Sequence, residues 1–165
     1  MELISLKKPL AALLLFFWAA AASAQTYPAR PVRVVVPYAP GGGANDNIFF
    51  DNDVSHAVAN GFELTFSRNI VVGNRIDDSW HGIWGGYSFD TLIADNTFDG
   101  NTEGIAIEHG QRNTITGNRF SREDVAIRLW ANTSQDPNWG YPKHRDTLSR
   151  DYVIARNRFD NEKTA

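Results

Sequence analysis

Apolar and polar positions alternate along residues 47–165 in short runs that return every 22 residues. Three successive runs are Asn69-Ile70-Val71-Val72-Gly73-Asn74-Arg75-Ile76, Thr91-Leu92-Ile93-Ala94-Asp95-Asn96-Thr97-Phe98 and Asn113-Thr114-Ile115-Thr116-Gly117-Asn118-Arg119-Phe120. One asparagine keeps its place in each. Asn52, Asn74, Asn96 and Asn118 are spaced by 22 (74 − 52, 96 − 74, 118 − 96), and Asn157 follows after 39 (157 − 118). A second phrase trails each asparagine: Gly82-Ile83-Trp84, Gly104-Ile105-Ala106-Ile107 and Ala126-Ile127-Arg128-Leu129, with Gly61-Phe62-Glu63-Leu64 displaced by one residue. Period-two alternation over short runs predicts strands with one buried face. The Gly, Asn and Asp residues between them predict turns.

A fixed period of this length predicts a solenoid. The expected fold is all-β, a right-handed parallel β-helix of about five coils over residues 47–165. Three inward columns follow from the alternation: Phe49, Val71, Ile93, Ile115 and Ile154; Val54, Ile76, Phe98, Phe120 and Phe159; Ile83, Ile105 and Ile127. The asparagines Asn52, Asn74, Asn96, Asn118 and Asn157 should stack as a structural ladder. Each amide has a donor and an acceptor for its neighbours, whereas a lone buried one would cost about 1–3 kcal/mol. The leucine-rich repeat shares the period, but it needs an apolar residue where Asn47, Asn69, Thr91, Asn113 and Tyr152 stand.

The first 46 residues break this pattern. Lys7 and Lys8 precede an apolar run from Ala11 to Ala22, and Ala22-Ser23-Ala24 gives a small-x-small sequence before Gln25. Residues 1–24 are therefore expected to be a cleavable signal peptide, which places the mature chain in the periplasm or outside the cell, with no membrane attachment after cleavage. Residues 25–46 form a leader or linker. A net charge of −3 argues against a nucleic-acid partner. The absence of cysteine excludes disulfides and thiolate metal sites.

Candidate chemistry is sparse. No Gly-x-Ser-x-Gly, His-Glu-x-x-His or phosphate-loop phrase occurs. His56, His81, His109 and His144 have no metal spacing and read as exposed turn residues. No cofactor or metal is expected, with one exception: Asp77 and Asp99 should lie one coil apart, close enough to share a proton or a Ca²⁺ ion. They are the candidate catalytic pair. The outward columns of the Gly-Ile strands read Trp84, Ala106, Arg128 and then Gly86, Glu108, Trp130. His109 ends one of these strands. The 39-residue step adds a long loop bearing Trp139 and His144. A sugar ring stacked on the indoles would find Arg128, Glu108 and His109 for its polar groups. Trp84, Glu108, His109, Arg128, Trp130, Trp139 and His144 are thus the candidate substrate-binding residues. The alternative is a loop that folds back and buries the tryptophans. The last phrase ends shortly before Ala165 with no polar cap, so end-to-end self-association is a further expectation.

Two resemblances add to this. Thr26 to Asp46, with Pro28-Ala29-Arg30-Pro31-Val32-Arg33-Val34-Val35-Val36-Pro37 and Gly41-Gly42-Gly43, resembles the mature start of solute-binding receptors of tripartite tricarboxylate transporters. That resemblance implies a first strand and a glycine loop at a ligand carboxylate. From Asn47 onward the Asn-x-aliphatic and Gly-Ile-x-Ile phrases resemble right-handed β-helix repeat proteins, the group of NosD-like periplasmic proteins and pectin-lyase-like enzymes. Three functions follow: a carbohydrate-interacting repeat protein without strong catalysis, a polysaccharide lyase or hydrolase using Asp77 and Asp99, or a carboxylate-binding transport receptor.

Overall fold

The structure is a computed structural model that describes residues 45–66 and 68–164. The expected signal peptide and nearly all of the receptor-like leader lie outside these residues. The first coil holds β1 (Ile48–Phe50) and β2 (Asn60–Glu63). The second holds β3 (Ile70–Val72), β4 (Arg75–Asp77) and β5 (His81–Trp84). The third holds β6 (Leu92–Ala94), β7 (Thr97–Asp99) and β8 (Glu103–Glu108). The fourth holds β9 (Thr114–Thr116), β10 (Arg119–Ser121) and β11 (Val125–Trp130). A short helix, α1 (Gly140–His144), lies in the long loop before β12 (Val153–Ala155) and β13 (Arg158–Asp160).

These strands form three parallel sheets, ordered β1-β3-β6-β9-β12, β4-β7-β10-β13 and β2-β5-β8-β11. The solenoid is parallel, as expected, with about four turns rather than five full coils. Among the described residues the fifth pass contributes β12 and β13 to two of the three sheets.

Register confirms the inward columns. Phe49 faces Val71, then Ile93, Ile115 and Ile154. Ile76 faces Phe98, Phe120 and Phe159, and Ile83 faces Ile105 and Ile127. The central members are fully buried. Stacking is close: the Phe98 and Phe120 rings lie 4.7 Å apart at 11°, and Phe120 and Phe159 lie 5.2 Å apart. The one-residue displacement of the first Gly-Ile phrase is also real, since Phe62 pairs with Ile83, 21 residues on.

Each sharp corner uses a left-handed residue, a conformation that Gly, Asn and Asp tolerate best. The residue before each ladder asparagine is one such column: Asp51, Gly73, Asp95, Gly117 and Arg156 all have φ between 54° and 69°. Turning there swings the asparagine side chain inward. Asn74 and Asn96 are 1% exposed. In every coil the backbone N–H and Nδ2 of one asparagine donate to Oδ1 of the next, from Asn52 through Asn118, at 2.8–3.1 Å.

Two further polar columns line the other corners. Asn47 donates to Asn69 Oδ1, and the Thr91 N–H to Asn113 Oδ1. Ser79 donates to Asn101 Oδ1, Asn101 to Glu123 Oε1, and the Glu123 N–H to Glu162 Oε2. The positions that argued against a leucine-rich repeat are therefore a second ladder, buried at Asn69, Thr91 and Asn113.

Candidate functional site

Sheet β2-β5-β8-β11 carries the outward side chains of interest. Trp84 pairs in register with Ala106, and Ala106 with Arg128. Glu108 pairs with Trp130. Ala106 is small, so the indoles of Trp84 and Trp130 meet above it at 5.6 Å, tilted by 57°. The Arg128 guanidinium lies 4.6 Å from the centre of the Trp130 ring, a distance suited to cation–π attraction. Both tryptophans keep an intermediate exposure. Four of the seven proposed binding residues thus form one continuous outward patch.

A polar relay holds Arg128 in place. Its Nη1 donates to Glu103 Oε1 at 2.6 Å, and Glu103 Oε2 lies 3.2 Å from His81 Nε2. His81 Nδ1 lies 2.8 Å from Asn60 Oδ1. The His81 ring stacks on Trp80 and tilts against Trp84. Burial pushes the His81 pKa down, against the pull of the Glu103 carboxylate. The relay follows from register, because Asn60, His81 and Glu103 are cross-coil partners. Reading the sequence one phrase at a time did not bring these residues together; stacking them at their 21- and 22-residue steps would have.

The other three candidates belong to a second surface made by the long loop. His109 is 3% exposed. Its Nδ1 donates to the Thr147 carbonyl at 2.5 Å, and its Nε2 accepts from the Asn132 N–H at 3.2 Å. Asn132 Nδ2 also bonds Glu108 Oε1. His109 therefore pins both ends of the loop. Gln111 assists, donating to the carbonyls of Asp146 and Leu148. The loop packs Trp139 and Tyr141 against Phe66 and Tyr87. Phe66, Tyr87 and His109 all have φ of 56–57°, a conformation that is costly for bulky side chains and persists only where surrounding contacts hold it. His144 is exposed on the rim of a cleft between loop and coil. The loop folds back as the alternative reading had it, but it covers Tyr87 and His109 and leaves the Trp84–Trp130 pair open.

Two of the four histidines expected to be exposed are buried. His81 and His109 are 7% and 3% exposed, because neighbouring coils and the loop supply partners for both ring nitrogens. His56 fits the expectation, exposed and 3.3 Å from Asp78.

Asp77 and Asp99 are register partners in adjacent coils. Their environments differ. Asp77 is 5% exposed, and burial pushes its carboxyl above the usual range despite the Arg75 guanidinium at 2.5 Å. Asp99 is held below the usual range by Arg122, which bonds both of its oxygens. Asp77 Oδ1 is buried and has no hydrogen-bond partner among the described residues.

The three sheets and their stacked polar corners define a parallel β-helix repeat protein. The family model described as periplasmic copper-binding protein (NosD) matches residues 41–165, 125 of the 165 positions (165 − 41 + 1), and the chain belongs to that family. No curated protein and no solved structure gives a match. Copper centres draw on imidazole, thiolate and thioether ligands. This chain has no cysteine, and its one methionine is Met1. Among the described residues no three His, Cys, Asp or Glu side chains converge on one point. The described donor set does not fit a copper centre.

Proposed function

We propose that the protein is a periplasmic carbohydrate-binding β-helix, with an oligosaccharide lying along the outward face of β5, β8 and β11. The observation that carries this reading is the Trp84–Trp130 pair, half-buried and meeting across Ala106 with Arg128 alongside. Exposed aromatic patches on a soluble protein mark interaction surfaces. Indole faces suit the C–H faces of sugar rings, while Arg128 and Glu108 offer a donor and an acceptor at the edge. Membership of a family described as periplasmic supports the compartment. Titration of the intact protein with a panel of neutral and acidic oligosaccharides, followed by tryptophan fluorescence, tests it. Binding should be lost in Trp130→Ala with the far-UV spectrum unchanged. If no glycan in the panel changes the parent's fluorescence, or if Trp130→Ala binds as the parent does, the reading fails.

A second reading rests on the opposite pKa directions of Asp77 and Asp99, since an acid and a base are found where environments push two carboxyls apart. Against it stand Arg75 and Arg122, which occupy the carboxylates and which a Ca²⁺ ion or a substrate would have to displace. A reducing-sugar or unsaturated-product assay on parent and Asp77→Asn decides between cleavage and binding.

A further inference from the structure

The cleft beneath the loop is separate from the sheet face. It encloses about 240 Å³ between Tyr87, Phe89 and Gln111 of the coils and Tyr141, Arg145 and Arg150 of the loop. Ser88, His109, Arg112 and His144 also line it, and Asp146 is the one acidic side chain among the described residues that do.

The arginines are not equivalent. Arg112 bonds both oxygens of Asp90, at 2.7 and 3.0 Å. Arg150 bonds Asp146 and Asp151. Arg145 lies with its guanidinium carbon 5.6 Å from the centre of the Phe89 ring. Among the described residues no carboxylate lies within ion-pair distance of it. A guanidinium laid over an aromatic ring and lacking a counter-charge keeps its planar fork of donors free. That fork matches a carboxylate or sulfate in two parallel hydrogen bonds.

Size narrows the ligand. Pockets for drug-sized molecules enclose roughly 300–1,000 Å³, so this one suits a single ring or a short acid. Its walls are aromatic at Tyr87, Phe89 and Tyr141 and cationic at Arg145. We propose that the cleft binds a small organic oxyanion, a carboxylate or sulfate on a body of about one ring, with Arg145 as the charged anchor. None of the residues in this argument belongs to the Trp84–Trp130 patch, so the site stands or falls independently of glycan binding there.

Isothermal titration of the full chain with sodium glucuronate and, separately, with glucose tests the charge requirement on the same ring. Glucuronate should bind, glucose should not, and high salt should weaken the binding. Arg145→Gln should weaken it by about tenfold or more, the scale of a charge-assisted bidentate contact. Arg145→Lys, which keeps the charge and loses the fork, should fall between. An acidic oligosaccharide distinguishes a free acid from a charged unit of a polymer. Binding no tighter than glucuronate identifies the free acid. Tighter binding whose excess disappears in Trp130→Ala identifies the polymer unit. Equal binding of glucose and glucuronate overturns the proposal, and that comparison needs only the parent protein. Unchanged glucuronate binding by a folded Arg145→Gln protein overturns it as well.

Discussion

Two donors of Asn96 converge on one acceptor of Asn118: its Oδ1 receives the Asn96 backbone N–H at 2.9 Å and Asn96 Nδ2 at 3.0 Å. The second Asn96 amide hydrogen goes to the Val71 carbonyl of the preceding coil at 2.9 Å. Its own Oδ1 receives two donors from Asn74. Asn96→Ala therefore strands buried groups on both sides. It should cost about 1–3 kcal/mol in urea denaturation. Asn157, half buried, accepts the two Asn118 donors and gives its own amide to the Ile115 carbonyl, but among the described residues it has no ladder asparagine on its far side. Asn157→Ala should cost clearly less, and equal losses would contradict the ladder's directionality.

The glycines of the Gly-Ile phrases have a separate reason. A Cβ on Gly82 would lie 2.6 Å from the Gly104 carbonyl oxygen, and one on Gly104 would lie 2.7 Å from that of Ala126. The next coil passes too close for any side chain. Backbone strands at their normal spacing cannot yield there, so Gly104→Ala should lower stability by about 1–3 kcal/mol, the usual cost of overpacking. Thermal melting checks this, and a neutral result would mean the coils can separate locally.

Glu123 gives the protein a pH dependence. It is fully buried, and burial drives its pKa from 4.5 to about 8 although Asn101 Nδ2 donates to Oε1. Its Oε2 has no partner among the described residues. Between pH 4.5 and about 8 the folded chain keeps a proton that the unfolded chain releases. Stability from this group is thus complete below that window and is lost as pH rises through it. Glu162, whose N-terminal neighbour in the column is Glu123, shifts in the same direction through burial. Glu123→Gln should flatten the stability profile and melt higher than the parent at pH 8, by about 1–3 kcal/mol for one buried group relieved. A parent whose stability does not change across this range would show that Glu123 is solvated.

Much of this was legible because the solenoid converts a sequence interval into a spatial neighbour. Stepping 22 residues from Asn74 reaches its hydrogen-bond partner, and stepping from Ile76 reaches Phe98. The same rule gives the Trp84, Ala106, Arg128 column and the Glu108–Trp130 pair. It stops at the 39-residue interval. Inside the loop no periodicity says where Thr147 or Arg145 will land, so the bonds to His109 and the cleft were invisible. The burial of His81 depended on its column partners Asn60 and Glu103, one of them reached by a 21-residue step.

His109 should be the switch between a docked and a detached loop. Its ring joins the loop's start, through the Asn132 N–H, to its return, through the Thr147 carbonyl. Stacking on Tyr87 at 4.6 Å and 16° fixes the ring plane. Removing it by alanine would also disturb a left-handed backbone, φ 56°. Asparagine tolerates that conformation, so His109→Asn isolates the loss of the ring from backbone strain. The three sheets do not depend on the loop, since none of their pairings involves residues 131–149. His109→Asn should therefore leave the melting of the coils almost unchanged. Trypsin, with Lys143 and Arg145 exposed in the loop, should nick the variant severalfold faster than the parent. The same variant should lose glucuronate affinity, because Arg145 is held over Phe89 only while the loop is docked. Parent-like proteolysis would mean that the aromatic cluster of Trp139, Tyr141, Phe66 and Tyr87 holds the loop by itself.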